Sequence, residues 1–272
     1  MSHAVQSSAR ITPAGLVFTG FTAQDKGDRS EQQDRIAILT SPNAPGCALG
    51  VLADGMGGRS GGALAAENVV LTSKLRFDEF SRTNAIEPFF NALVSEVHTI
   101  LRLTGMTSGL DPHSTFAAVL LQPDRIDWCH VGDSRIYHIR DRKLLHCTSD
   151  HTLFQELVQL RKISADRARL HPSANALVNA LGGRRDPVAT LGSLPDPQAG
   201  DTFLLCSDGL WNYFHAGEIV LVIESMPLRE AAETLISRAR TRANGQGDNC
   251  SLILLRMSGP PGQSAKAARN IS

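Results

Sequence analysis

Six short runs of the chain are apolar or β-branched and closed off by Gly, Asp, Pro or Ser: CALGVLAD, TFAAVLLQ, IDWCHVGD, RIYHIR, DTFLLCSD and NCSLILLR. Such runs predict strands. RIYHIR and KLLHC flank Asp141-Arg142, and TFAAVLLQ and IDWCHV flank Pro123-Asp124. Both pairs therefore predict hairpins and antiparallel sheet. Between the strand groups the period changes. Phe90, Leu93, Val94, Val97 and Leu101 recur at spacings of three and four within 84–103, which predicts an amphipathic helix. Leu228, Ala232, Leu235 and Ala239 repeat the pattern after Pro227, a residue tolerated in a first helical turn. Long helical segments set between groups of hairpins favour an α+β arrangement over a doubly wound parallel sheet. No fixed period recurs, which argues against solenoids and propellers.

From His151 to Gly183 the character shifts to short charged pieces, LFQELVQL, SADRARL and NALVNALGG, read as helical and as a subdomain laid over the main body. Residues 1–15 are small and polar, and 258–272 (SGPPGQSAKAARNIS) are rich in Pro, Gly, Ser and Ala, so both ends are expected to be flexible, solvated tails. The body, 16–257, is expected to be one domain, because a single core can still grow at this size.

Hydrophobic residues make up 42% of the 272 residues and charged ones 20%, the profile of a soluble globular protein. Lys+Arg and Asp+Glu both number 27, so no net field draws the chain to nucleic acid or an anionic membrane, and any chemistry must come from local constellations. The five cysteines form no CxxC pair and read as buried thiols in a reducing compartment. There is no basic-then-apolar leader and no apolar run of the roughly 18 residues a span needs, so a cytoplasmic protein is expected.

Three strands run straight into an aspartate: GVLAD-GMGG at Asp54, CHVGD-SR at Asp133 and FLLCSD-GLW at Asp208. A fourth segment, GQGDNCSLILL, places Asp248 at the start of a strand. Asp-Gly alone is a common turn dipeptide. A turn does not explain why each aspartate abuts an apolar strand. Carboxylates held at the rims of buried strands are costly without counter-cations. Hard divalent cations such as magnesium and manganese take oxygen ligands, and no histidine or cysteine cluster has zinc spacing.

The chain resembles the metal-dependent protein phosphatase (PPM) family, in particular the bacterial type 2C serine/threonine phosphatases. The matching blocks, in order, are GDRSEQQD (27–34), ADGMGGRSGG (53–62), HSTFAAVLL (113–121), VGDSRIY (131–137), TSDHTL (148–153), NALGG (179–183), CSDGLW (206–211) and GDNCSLI (247–253). The resemblance implies a four-layer α-β-β-α sandwich of two antiparallel sheets flanked by helix pairs, with a helical flap over about 151–187. It implies hydrolysis of phosphoserine and phosphothreonine esters by direct attack of a metal-bridging water. It also implies two Mn2+ or Mg2+ ions, one held by Asp54, Asp208 and Asp248, the other by Asp54 and the Gly55 carbonyl. A third, weaker ion is implied at Asp133 with Asp208. Arg29 takes the place of the phosphate-binding arginine, and its planar fork suits two phosphate oxygens. Gln33, Asp34 and Asn249 fall where ligands are steadied by hydrogen bonds. The implied partners are phosphorylated proteins, substrates of a eukaryote-like bacterial serine/threonine kinase, and the implied state is a monomer.

Two departures from the family involve three positions. Gln32 and Gln33 stand where many relatives carry Asn and Glu, which removes a charge near the second metal. Met56 stands where eukaryotic relatives place a histidine, leaving the general acid unassigned. A rival reading is the C-x5-R signature of cysteine phosphatases at Cys129 and Arg135. It conflicts with RIYHIR continuing as a strand and with Asp133 inside the loop that must bind phosphate. A second alternative, a catalytically weak or inactive phosphoprotein-binding module of the same fold, would be expected to have lost metal aspartates. His130, His138 and His146 read as structural or surface residues.

Overall fold

Apolar runs without polar alternation belong to strands covered on both faces. The computed structural model, which describes residues 5–10, 16–57, 61–160 and 176–259, covers them by stacking two sheets and roofing each with helices. One sheet runs, in spatial order, β1 (Val5–Arg10), β2 (Val17–Asp25), β12 (Cys250–Ser258), β11 (Thr202–Cys206), β8 (Arg135–Arg140) and β9 (Lys143–Cys147). The other runs β10 (Thr190–Pro195), β7 (Arg125–Val131), β6 (Phe116–Leu121), β4 (Ala48–Met56) and β3 (Asp34–Thr40), with the short β5 (His113–Ser114) on the end of β4. Every pairing is antiparallel. α1 (Gly61–Asp78) and α2 (Ile86–Ser108) cover the second sheet. The first sheet is covered chiefly by α5 (Ala216–Ser225) and α6 (Leu228–Ala243), which follow the single turn α4 (Asp208–Trp211). α3 (Leu153–Gln159) lies between β9 and β10 in sequence and belongs to neither layer.

Strand parity sorts the side chains into three apolar layers. On β4, Leu49, Val51 and Ala53 face α1 and α2, while Ala48 and Leu52 face the other sheet. On β12, Leu252 and Leu254 face α5 and α6, while Ile253, Leu255 and Met257 meet β4 and β6 between the sheets. These layers are the α-β-β-α sandwich. No helix among the described residues is long and apolar enough to cross a membrane.

The β8–β9 hairpin turns at Asp141 and Arg142 with φ of 51° and 59°, the doubly left-handed turn that matches strand twist. The β6–β7 hairpin closes where the Gln122 amide donates to Arg125 O (3.0 Å). The helix expected within 84–103 spans Ile86–Ser108 and ends at Gly109, φ 69°. Pro227 stands just ahead of α6 as its N-cap, one step before the helical turn.

Two expectations are corrected. Val5–Arg10 is not a solvated tail, because its backbone pairs along β2 and covers an otherwise open sheet edge. Nor is the described part of NALVNALGG helical. Leu177 bridges to Thr152 and Leu181 to Ser114, so tertiary backbone pairing overrides local helix propensity. Gly182 there has φ 81°, and a Cβ on it would stand 2.2 Å from Pro112 O. SADRARL and the segment 260–272 lie outside the described residues.

Candidate active site

The parity that fills the space between the sheets with Leu52, Ile36, Leu205 and Ile253 delivers Asp54, Asp34, Ser207 and Ser251 one step of two residues further on. At this end of the sandwich the inter-sheet layer turns from apolar to acidic. Asp54 pairs in register with Asp34 on β3. The Asp54 amide donates to Thr115 Oγ1 (3.0 Å), and its carbonyl accepts from the Thr115 amide (2.9 Å) and Ser114 Oγ (3.1 Å). The backbone is thus fixed on both sides of a side chain that faces the rim.

A cleft of about 780 Å³ opens there, lined by Arg29, Glu31, Gln33, Asp54, Gly55, Asp133, Asp208, Asp248 and Asn249 among others. Of the site positions expected from the sequence, Asp34 alone is absent from the lining, and it lies buried beneath the cleft. Arg29 is the one cationic side chain in the lining among the described residues. It donates from Nη2 to Asp248 Oδ2 at 2.5 Å. Among the described residues, no group of three or more His, Cys, Asp or Glu side chains is arranged closely enough to hold a metal ion. The carboxylates are gathered, and Arg29 holds one of them.

Crowding makes their ionisation unfavourable. Burial, then the charges of Asp34, Asp208, Asp133 and Asp248, hold the Asp54 carboxyl well above the usual range. Burial and Asp248 push Asp208 up to about 6, while burial and Asp208 push Asp133 up to about 7. Burial likewise lifts Asp34 to about 7. Its Oδ2 accepts from Ser207 Oγ (2.8 Å), but Oδ1 and the nearby Ser251 Oγ have no hydrogen-bond partner among the described residues. This all-oxygen, under-neutralised donor set fits hard divalent cations.

The loop carrying Arg29 is clamped from the far end of the chain. Asn249 Oδ1 accepts from the Gln33 amide (2.7 Å), and its Nδ2 donates to Lys26 O (2.7 Å) and Glu31 O (3.0 Å). Asp28 is held by Arg240 of α6 (2.8 and 3.0 Å) and by the Gly247 amide (2.7 Å). Gly27, with φ 70°, passes so close that a Cβ on it would lie 2.1 Å from Asp248 O. Asp28, Thr115 and Ser207 lie inside the matching blocks but carry no assigned role there, and Arg240 lies outside every block. Their roles arise from pairings such as Asp28–Arg240, 212 residues apart.

The cysteine-phosphatase reading fails on geometry. Cys129 is fully buried in mid-strand, where desolvation raises its thiol far above the ordinary value. Arg135 makes a two-pronged ion pair with Asp150 (2.8 and 2.7 Å) and lies 3.6 Å over the Trp211 ring. The other thiols are free, all buried except the partly buried Cys147. His138 is likewise structural, with Nε2 2.7 Å from the buried Asp201 carboxylate.

Sheet order, acidic cleft and arginine together define a phosphatase-like class of site. A family model described as Protein phosphatase 2C matches residues 24–243, and the chain belongs to that family. It is 31% identical over 255 residues to the serine/threonine protein phosphatase PstP of Mycobacterium tuberculosis, covering 90% of this chain and 46% of that protein. It is 32% identical over 242 residues to the serine/threonine phosphatase stp of Listeria monocytogenes, covering 85% and 89%. The chain therefore spans about half the length of the mycobacterial relative. Among solved structures, the S. agalactiae serine/threonine phosphatase superposes with a TM-score of 0.80 at 28% identity, over 88% of this chain and 99% of that one. The catalytic domain of PstP in complex with two manganese ions gives 0.73 at 28% identity, over 89% and 99%.

Proposed function

We propose that this chain is a metal-dependent phosphoprotein phosphatase that hydrolyses phosphoserine and phosphothreonine esters. The observation that carries the reading is the convergence of Asp54, Asp133, Asp208 and Asp248 on one cleft with Arg29 at its mouth. Asp54, Asp208 and Asp248 would hold one Mn2+ or Mg2+, Asp54 and the Gly55 carbonyl a second, and Asp133 with Asp208 a third. Gly62 supports the Gly55 role, since a Cβ there would stand 2.6 Å from that carbonyl oxygen. Divalent cations supply Lewis acidity, which activates water and neutralises phosphate charge. Arg29 orients the phosphate, Asn249 positions the Arg29 loop, Gln33 lines the rim and Asp34 sets the charge beneath. The serine/threonine phosphatases among the relatives support phosphorylated proteins as substrates; a eukaryote-like bacterial kinase as the source of those phosphates rests on the family resemblance alone. An inactive binding module is not favoured, because the cleft keeps all four aspartates. The test is turnover of a phosphothreonine peptide with manganese and its loss in EDTA; full activity in EDTA overturns the reading.

Arg29 and a cation compete for Asp248, which gives Arg29→Ala two expected effects. Loss of a charge-assisted phosphate contact lowers kcat/KM by about 10- to 100-fold, mainly through KM. The manganese concentration for half-maximal activity falls, because Asp248 is released. An unchanged KM would leave Arg29 as a counter-ion only.

A further inference from the structure

The acidic cleft continues past its own rim. Met56 and Leu177, which line it, also wall a second groove of about 500 Å³ that includes His113, Arg184 and Arg185. The sign of charge reverses across this apolar saddle. The cleft presents carboxylates; the groove lining holds two guanidiniums and, among the described residues, no carboxylate. Both arginines are exposed, and neither makes an ion pair or hydrogen bond with the described residues. Acids flank the groove without lining it: Asp111 shares an adjoining hollow with Arg184, and Asp150, Glu156 and Asp186 share another with Arg185. Asp186 lies 3.7 Å from His98 and Asp111 3.8 Å from His113, and neither lines the groove.

The backbone bearing these arginines is fixed to the strand end that carries Asp54. Leu181 exchanges backbone hydrogen bonds with Ser114 (2.9 and 3.1 Å), and Ser114 pairs with Gly55. The Gly182 amide donates to His98 Nδ1 (3.2 Å), and Arg102 Nη1 donates to Gly183 O (3.0 Å). The groove is therefore held in register with the cleft, the condition for recognising a second feature at a set distance from a bound phosphate.

We propose that this groove receives an acidic stretch of the substrate polypeptide next to the phosphorylated residue, with Arg184 and Arg185 pairing with its carboxylates across the Met56–Leu177 saddle. The inference rests on the phosphatase reading and adds to it a sequence preference. Planar guanidiniums suit carboxylates, and unpaired arginines on a fixed backbone give up no existing partner on binding. Two exposed pairs together favour an acidic substrate by about tenfold at low ionic strength, an advantage that fades with salt.

Phosphothreonine peptides differing only in three Glu or three Ala residues, placed before or after the phosphothreonine, test this with manganese present. Para-nitrophenyl phosphate, too small to reach the groove, serves as the reference. For the unaltered protein, the Glu peptide of one polarity is expected to exceed its Ala counterpart about tenfold in kcat/KM, chiefly through KM. Arg184→Ala/Arg185→Ala erases the difference, and Arg184→Glu/Arg185→Glu inverts it in favour of a Lys-bearing peptide. All three proteins hydrolyse para-nitrophenyl phosphate alike, which also reports that they are folded. Equal rates on Glu and Ala peptides, or a preference that survives both double variants, overturns the proposal. Absence of para-nitrophenyl phosphate turnover by the unaltered protein instead sinks the phosphatase reading itself.

Discussion

Asp54→Asn is expected to lower kcat/KM by about a thousandfold, to the level seen in EDTA, while raising the melting temperature of the metal-free protein. The side chain is placed by the backbone bonds to Thr115 and Ser114, so asparagine would occupy the same position without the charge. Under the proposed roles it is the carboxylate shared by the first two cations, the third being the weaker one. Loss of several kcal/mol of charge stabilisation reduces the rate tenfold for about every 1.4 kcal/mol. Without metal the same carboxylate is a liability, desolvated and facing Asp34, Asp208, Asp133 and Asp248. Calorimetry with and without manganese checks both halves: the variant should melt higher in EDTA and lose the manganese-induced rise. Turnover near that of the unaltered protein would remove Asp54 from the metal site.

Between about pH 4 and pH 7 the metal-free protein is expected to lose stability as the pH rises. Asp208 titrates near 6 and Asp34 and Asp133 near 7 in the folded chain, all above the unfolded carboxyl value of 3.8. In that window the folded state binds more protons than the unfolded one, so the stability these groups contribute is lost on deprotonation. Asp201 behaves oppositely. Against the cost of burial, hydrogen bonds from His138, Arg140 and the Gln198 amide hold it at about 2, so its contribution is lost only as the pH falls below about 4. A carboxyl that folding makes tenfold harder to ionise destabilises the ionised protein by about 1.4 kcal/mol, so a fall in Tm of at least about 5 °C is expected from pH 4.5 to 7.5. Saturating manganese should reverse the slope, because cation binding requires the ionised carboxylates. Melting curves in EDTA that are flat or rise with pH would show that the aspartates are not crowded.

Much of this was legible in the chain because the strands are buried on both faces. CALGVLAD and NCSLILLR carry no polar interruption until the rim, so the aspartate marks both the strand end and the site. α1 was not legible: Leu64, Leu71 and Leu75 are exposed on its outer face, which blurs the apolar stripe. β10 was hidden by Gly192, whose missing side chain makes room for the Trp128 ring; a Cβ there would stand 2.2 Å from it. NALVNALGG misled because its bridges to Thr152 and Ser114 are with residues outside the local window. Arg184 and Arg185 carry no signal in the chain itself, because the groove beside them is formed by residues such as Met56 and His113 far away in sequence.

The clamp of Asn249 on residues 26–33 has a consequence for synthesis. Arg29 and Asp248 are separated by 219 positions, and the strand between β2 and β11 in space is β12, made after every other described strand. The ribosome releases the four aspartates of the cleft one by one, and the cleft stays incomplete until residue 249 has emerged. Under the proposed function a nascent chain is therefore expected to be silent toward phosphoproteins around it, and termination before β12 to yield a product without activity rather than a weakened enzyme.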